Sequence, residues 1–143
     1  MKKSNKPVDD PYMNTELCIE RLVENWKSHN GIIIAFDFDN TIFDFYKKGY
    51  TYSKVIQLLK DCKEMGCTLI LSTCCDESKF DFMRQICEKE EVQIDYINQS
   101  PPYIPYSGNK VYYNILLDDR AGLSAANEIL YETKERIKNE IFK

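Results

Sequence analysis

Apolar residues recur at intervals of three and four positions in four separate segments of the chain. These segments cover residues 19–26, 55–62, 77–90 and 123–142. Such spacing places the apolar side chains on one face of a helix, so it predicts four amphipathic helices. Each helix is expected to bury that face against another layer of the protein.

Short runs rich in β-branched and other apolar residues lie between the helices and predict strands. Continuous runs cover residues 32–36, 67–71 and 113–117, whereas residues 92–97 alternate between apolar and polar. A run too short for a helix is typical of a strand buried on both faces of a parallel sheet. Strands that alternate with helices predict an α/β fold, a Rossmann-like doubly wound parallel sheet with helices on both faces.

Residues suited to helix ends stand at the borders of these segments. Asn14 or Thr15 is placed to cap the first helix at its amino end, and Ser53 is placed to cap the second. Gly66 follows the second helix and is placed to end it, because glycine readily adopts the left-handed conformation found there.

The length of the chain, 143 residues, fits one ordinary domain. Residues 1–12 are polar and contain Pro7 and Pro11, so they are predicted to form a flexible N-terminal arm. Residues 13–143 are predicted to form a single α/β domain without a cap domain.

The charge balance limits the classes of partner that the protein can have. Lys and Arg number 19 and Asp and Glu 23, which gives a net charge of −4. This balance disfavours a generally basic nucleic-acid-binding protein, although it permits a local basic patch. No apolar stretch is long enough to span a membrane, and no apolar core follows the basic residues at the start. We therefore expect no membrane association and no secretory signal.

The cysteines and the histidine bear on compartment and metal binding. The chain has six cysteines and one histidine. The cysteines are interpreted mainly as small buried apolar residues in a reducing, cytoplasmic setting. Cys74 and Cys75 are adjacent and do not form a Cys-x-x-Cys pair, which together with the single histidine argues against a zinc site.

Acidic residues follow the first and the last predicted strands. Asp37 and Asp39 come after the first strand, and Asp118 and Asp119 after the last. In an open parallel sheet, ligands bind at the carboxyl ends of the strands. Carboxylates that converge there repel one another and resist desolvation, so a cation is needed to hold them together. Mg²⁺ suits a site of a few carboxylates and a substrate phosphate, and the sequence therefore predicts a magnesium site.

These residue types also suit phosphoryl transfer. An aspartate such as Asp37 can act as a covalent nucleophile toward a phosphoryl group. A second carboxylate at Asp39 can protonate the leaving oxygen and later deprotonate the attacking water. Ser72 or Thr73 after the second strand, and Lys110 ahead of the last, can contact the phosphoryl oxygens where charge accumulates.

The order of these motifs resembles the haloacid dehalogenase (HAD) superfamily of phosphohydrolases. The chain matches its four motifs at residues 33–42 (a hydrophobic run and D-x-D-x-T), 69–73 (a strand ending in Ser or Thr), Lys110 (a lysine ahead of the last core strand) and 115–119 (a strand ending in an acidic pair). The resemblance spans residues 31–123. It implies a small Mg²⁺-dependent phosphatase that works through an aspartyl-phosphate.

The resemblance also implies a role for each acidic residue. Asp37 would be the nucleophile and a Mg²⁺ ligand. Asp39 would be the general acid and base, and its backbone carbonyl would bind the metal. Asp118 would be a metal ligand, and Asp119 a second ligand or the partner of Lys110.

The hydroxyl residues of the motifs are implied to bind the phosphoryl group or to position other residues. Thr73 would bind the transferring phosphoryl, with Ser72 as the alternative. Thr41 would help to fix the loop that aims Asp39 and would also contact the substrate. Cys74 stands where members of the superfamily often have Asn or Gly beside the phosphoryl group.

The positive charge of the site is assigned to Lys110, which would orient Asp37 and neutralise phosphate charge. Because eight positions separate Lys110 from Asp118, a turn or short helix is needed to place Lys110 at the site. Arg120 is the alternative cation.

The spacing of the motifs leaves no room for a cap domain, because each gap already holds one predicted helix and one predicted strand. A capless site is open and favours bulky substrates. We expect nucleotide or polynucleotide-end phosphates, with sugar phosphates and phosphoproteins as alternatives. Two aromatic segments, residues 43–52 and 103–106, flank the predicted site, where they could stack a base or simply pack loops onto the core.

Two other interpretations compete with a phosphatase. A protein that keeps the fold but has lost turnover would be a binding or regulatory module. Response-regulator receiver domains also combine acidic residues, Thr or Ser, and Lys, but their acidic pair follows the first strand. Here D-x-D comes first and the acidic pair last, which argues against a receiver domain.

Overall fold

The computed structural model describes residues 7–141 of the chain. Residues 1–6 of the predicted arm, and Phe142 of the predicted last helix, lie outside the described residues. The helices are α1 (Thr15–His29), α2 (Ser53–Glu64), α3 (Phe80–Lys89) and α4 (Leu123–Ile141), with short 3₁₀ helices at Pro11–Met13 and Glu77–Lys79. The strands are β1 (Ile33–Asp37), β2 (Thr68–Ser72), β3 (Tyr96–Ile97) and β4 (Ile115–Leu117).

The four strands form one parallel sheet in the order β3-β2-β1-β4. The chain builds the sheet outward from β1 to β3 and then crosses to the opposite edge to form β4. This path confirms the predicted α/β class and the Rossmann-like, doubly wound parallel sheet. The third strand is only two residues long, shorter than the expected strand 92–97. The Val92 N–H donates to the Cys87 carbonyl in the turn after α3, and the Asp95 side chain accepts the hydrogen bond of the Leu69 N–H.

The helix ends confirm two of the three predicted signals. The Asn14 side chain accepts a hydrogen bond from the Leu17 N–H at 3.0 Å, so Asn14 caps α1. Gly66 follows the end of α2 with a φ of 100°, as expected for a glycine that ends a helix. The prediction for Ser53 is wrong, because Ser53 is the first residue of α2 and the preceding Tyr52 makes no side-chain cap.

One face of the sheet packs against the helices and forms the larger core. Buried residues of this face are Ile34, Phe36, Leu69, Leu71, Ile115 and Leu117, and buried helix residues in the same cluster include Leu22, Trp26, Leu59, Met83 and Leu130. Burial of one such side chain stabilises the folded state by roughly 1.5–3 kcal/mol. This cluster, to which every α-helix contributes, is therefore the main source of stability.

The opposite face is smaller and is covered by a different kind of layer. Its buried residues are Ile33, Ala35 and Ile70, and the partly buried side chains packed on them include Ile104, Val111 and Tyr112. These covering residues belong to the connection between β3 and β4, residues 98–114. The sequence predicts helices on both faces, but this connection contains three prolines, which lack the N–H that a helix requires. An irregular segment therefore takes the place of a helix on this face.

The described part of the N-terminal arm packs against α1. The Arg21 guanidinium lies 3.8 Å from the centre of the Tyr12 ring, and the Cys18 thiol donates to the Tyr12 carbonyl at 3.2 Å. No helix within residues 7–141 combines the length and the apolar character needed to cross a bilayer.

Two glycines allow the backbone before β1 to cross close to the backbone before β2. Gly31 has a φ of 142°, and a Cβ atom placed on it would lie 2.3 Å from the Gly66 carbonyl oxygen. Both the backbone conformation and the contact therefore exclude a larger residue at position 31.

We expect Gly31→Ala to lower the free energy of unfolding by roughly 2–4 kcal/mol, because it adds backbone strain and a steric clash. Gly108→Ala is the matched control, since a Cβ atom at Gly108 meets nothing within 4 Å. Urea denaturation of both variants measures the effect, and equal stability of the two would contradict the close approach.

Candidate functional site

Three carboxylates meet at the carboxyl ends of β1 and β4. Asp37 is the last residue of β1, and Asp118 and Asp119 follow β4, which pairs directly with β1. One carboxylate oxygen from each of the three lies within 4.8 Å of the other two. We call these three residues the acidic cluster. The parallel pairing of two adjacent strands thus brings together residues that are about 80 positions apart in sequence.

Thr41 lies beneath the acidic cluster and joins two of its members. Its hydroxyl oxygen is 3.4 Å from an oxygen of Asp37 and 3.4 Å from an oxygen of Asp119, so its single hydrogen can be donated to either. The same hydroxyl accepts a hydrogen bond from the Asp119 N–H at 3.1 Å. Thr41 has no exposed surface, so it positions the carboxylates and is not accessible for the direct substrate contact that the sequence suggested.

The loop after β1 is held in a tight turn that positions Asp39. The Phe38 carbonyl accepts hydrogen bonds from the N–H groups of Thr41, Ile42 and Phe43, at 3.1–3.3 Å. Asn40 adopts a left-handed conformation with a φ of 60°, which Asn tolerates better than most residues. Asp39 therefore lies in a turn that the hydrogen bonds to Phe38 and the conformation of Asn40 hold in place.

The environment raises the pKa of two of the aspartates. Burial, a hydrogen bond with the Asp119 carboxylate and the charge of Asp118 raise the pKa of Asp37 to about 7 from its usual 3.8. Burial and the charge of Asp119 also raise the pKa of Asp39. Ionisation of the cluster is costly because the negative charges lie close together and are partly removed from water.

No cationic side chain within residues 7–141 offsets the charge of the acidic cluster by an ion pair. Lys110 is exposed, and its ammonium lies 5.9 Å from the centre of the Tyr113 ring. Arg120 is exposed as well, and only its backbone N–H reaches Asp118, at 2.9 Å. The structure therefore brings neither predicted cation to the aspartates.

The second strand brings its predicted hydroxyl residues to the same edge of the sheet. Ser72 is the register partner of Asp37, so the two residues are neighbours on one face of the sheet. Thr73 follows, and its hydroxyl accepts a hydrogen bond from the Cys75 N–H at 3.1 Å. Cys74, which stands between Thr73 and Cys75, is exposed.

Asn98 is a residue of this edge that the sequence analysis missed. Its side chain accepts a hydrogen bond from the Thr73 N–H and donates one to the Thr73 carbonyl, both at 2.8 Å. Asn98 follows the end of β3, so its place at the end of a parallel strand was a signal that could have identified it.

The residues of the acidic cluster fit a hard divalent cation. Three partly exposed carboxylates with oxygens within 4.8 Å form an oxygen-only donor set of the kind that Mg²⁺ prefers. Such an ion would also supply the positive charge that the described side chains do not.

Comparisons with known proteins give information on the fold but none on the function. No protein-family model matches the chain, and no curated protein matches it. Among solved structures, it is similar to a conserved protein from Bacteroides thetaiotaomicron, with a TM-score of 0.58 and 22% sequence identity. The match covers 72% of this chain and 92% of the other. At this identity the similarity supports a shared fold alone.

The raised pKa of Asp37 predicts a pH dependence of stability. Because Asp37 binds its proton more tightly when folded, with a pKa of about 7 against 3.8, its contribution to the free energy of unfolding falls as the pH rises between these values. Without divalent cations, the melting temperature of the parent should fall further between about pH 5 and pH 8 than that of Asp37→Asn. If the melting temperatures of the two proteins change equally with pH, this environment of Asp37 is contradicted.

The bridging position of Thr41 predicts that its hydroxyl matters for cation binding. Thr41→Val leaves the Asp119 N–H without its partner and should lower the free energy of unfolding by roughly 1–3 kcal/mol and weaken Mg²⁺ binding. Thr133→Val is the matched control, since Thr133 is equally buried but donates to the Ile129 carbonyl inside α4. Calorimetric Mg²⁺ titration of both variants measures the difference. Equal Mg²⁺ affinities would remove the bridging role.

Proposed function

We propose that this protein is a Mg²⁺-dependent phosphohydrolase of the haloacid dehalogenase type, which works through an aspartyl-phosphate on Asp37. The observation that carries the proposal is the acidic cluster at the carboxyl ends of β1 and β4. Two further features support it. Asp39 stands two positions after Asp37, and Ser72 lies beside Asp37 in the sheet.

In the first step, a carboxylate oxygen of Asp37 attacks the phosphorus atom of a phosphate monoester. A new O–P bond to Asp37 forms while the P–O bond to the leaving group breaks. Asp39 donates its proton to the leaving oxygen, so the product leaves as a neutral alcohol. Its raised pKa favours the protonated form that this step requires.

In the second step, a water molecule attacks the phosphorus of the aspartyl-phosphate. The Asp39 carboxylate now accepts a proton from this water, and the O–P bond to Asp37 breaks. Inorganic phosphate leaves, and Asp37 returns to its carboxylate form. One acidic residue thus serves both half-reactions.

The remaining residues of the edge hold these groups in place. Mg²⁺ held by Asp37, Asp118 and Asp119 would offset the charge of the carboxylates and of the phosphoryl group. Ser72 or Thr73 donates a hydrogen bond to a phosphoryl oxygen. The Asn98 side chain fixes the Thr73 backbone at 2.8 Å, so the hydroxyl residues are positioned before a substrate binds.

The proposed substrates are nucleotide or polynucleotide-end phosphates, and sugar phosphates and phosphoproteins are the alternatives. No additional domain lies over the acidic cluster within the described residues, which leaves room for a bulky leaving group. A cytoplasmic, reducing compartment is part of the proposal, because the six cysteines are free thiols.

Phosphate release from p-nitrophenyl phosphate tests the proposal. We expect release with Mg²⁺ but not with a chelator, and Asp37→Asn should reduce the rate at least about a thousandfold because it removes the nucleophile. Asp81→Asn is the matched control, since the Asp81 side chain is 93% exposed on α3 and should behave as the parent. Parent-like turnover of Asp37→Asn would contradict the proposal. Unimpaired turnover of Asp39→Asn would remove the acid and base role.

A second candidate function is a cation-binding or regulatory module that does not turn over substrate. The observation that favours it is the position of Lys110 and Arg120, neither of which pairs with the acidic cluster. Calorimetric Mg²⁺ binding without phosphate release across nucleotides, sugar phosphates and phosphopeptides would support this module over the enzyme.

A further inference from the structure

The loop of residues 43–52 begins beside Asp39 and leads into α2. At its start, the Asn40 N–H donates to the Phe43 carbonyl at 2.7 Å, and Asp39 forms a bridge with Phe43. At its end, Tyr52 precedes α2. Burial and the charges of Asp44 and then Asp119 raise the pKa of Tyr52.

Asp44 gives this loop a fixed conformation. One of its carboxylate oxygens accepts the Lys48 N–H at 3.2 Å, and the other accepts the N–H groups of Gly49 at 2.8 Å and Tyr50 at 3.2 Å. A loop that is ordered before a ligand arrives loses less conformational entropy on binding.

The outer part of the loop holds aromatic rings and lysines in solvent. The exposed fractions are 52% for Phe45, 60% for Tyr46 and 65% for Tyr50. The rings of Phe45 and Tyr46 lie edge to face with centres 5.0 Å apart, and Lys47 and Lys48 are exposed between them and Tyr50. Several exposed aromatic side chains on one ordered loop are typical of a binding surface.

The inner aromatic residues of the same region have a packing role instead. The Phe43 ring lies 4.9 Å from that of Phe38 and 5.5 Å from that of Phe82, where it joins the larger core. Packing therefore accounts for Phe43 but not for the three exposed rings.

We propose that Phe45, Tyr46 and Tyr50 form a stacking platform for the base of a nucleoside monophosphate whose phosphate enters the acidic site. This inference rests on the proposed function and identifies its substrate class. Each base has a flat π-face that stacks on aromatic side chains. Lys47 and Lys48 supply the positive charge that an anionic substrate needs beside four carboxylates.

The position of the rings favours a nucleotide over other phosphate esters. The platform residues occupy positions 45–50, beyond Phe43, where the loop forms its bridge with Asp39. A ring held on the outer loop must therefore be separated from its phosphate by a spacer, which the ribose of a nucleotide supplies. In phosphotyrosine the ring is bonded directly to the phosphate oxygen, and a sugar phosphate has no aromatic ring.

Steady-state kinetics with Mg²⁺ test the platform on adenosine monophosphate and on ribose 5-phosphate, which lacks the base. We expect Tyr46→Ala and Tyr50→Ala each to raise KM for adenosine monophosphate roughly tenfold, with little change for ribose 5-phosphate. Tyr46→Phe and Tyr50→Phe should retain the parent KM, because they keep the ring. Tyr106→Ala is the matched control, since Tyr106 is 69% exposed but lies near Gly31 and Gly66. These residues are at the amino ends of the strands and not beside the acidic cluster, so the expectation that residues 103–106 flank the site is wrong. Comparing the KM of a 5′-phosphorylated oligonucleotide with that of adenosine monophosphate shows whether the enzyme prefers a strand end or a free nucleotide.

The outcomes separate this inference from the proposed function. An equal rise in KM for both substrates, or no rise for either, would overturn the platform while the phosphatase stands. If no substrate is turned over, the proposed function fails. Calorimetric binding of the two ligands to the same variants then tests the platform on its own. Binding of adenosine monophosphate that is about tenfold tighter than binding of ribose 5-phosphate, and is lost in both alanine variants, then supports the platform. Equal binding of the two ligands overturns it.

Discussion

The hydrogen bonding of β1 on both of its sides is the constraint on which the rest of the structure depends. β1 pairs with β2 on one side and with β4 on the other, always in parallel. Since parallel strands end at the same edge, the residues that follow these three strands must meet. The same pairing places the buried side chains of the three strands on two common faces and thereby defines both cores.

The edge created by this pairing collects negative charge that the described side chains do not offset. An isolated set of such carboxylates would separate or take up protons, and the raised pKa of Asp37 reflects that cost. The buried Thr41 hydroxyl holds two of the carboxylates together from below, at 3.4 Å from each. The site is thus held in shape by the protein while its charge is left for a cation and a substrate.

The sequence predicted those features that local spacing and strand order determine. The alternation of elements and the Asn14 cap follow from patterns within short segments. The meeting of Asp37 with Asp118 and Asp119 follows from the rule that parallel strands end at the same edge of a sheet. Features set by distant contacts were not predictable in this way. The position of Lys110 depends on how residues 98–114 pack across the sheet. The irregular structure of these residues depends on their three prolines, which exclude a helix but do not determine the conformation that replaces it. Asn98 was missed although it follows a predicted strand, because its side chain bonds only the Thr73 backbone and no residue pattern indicates such a contact.

The irregular connection between β3 and β4 limits how the length of this chain can vary. Connections between strands ordinarily tolerate insertions and deletions, because they run over the surface and bury little. Here the connection also provides the cover of Ile33, Ala35 and Ile70, through side chains such as Ile104 and Tyr112. A deletion within residues 98–114 would uncover a core, whereas residues added to the exposed loop that carries Tyr46 would leave both cores intact.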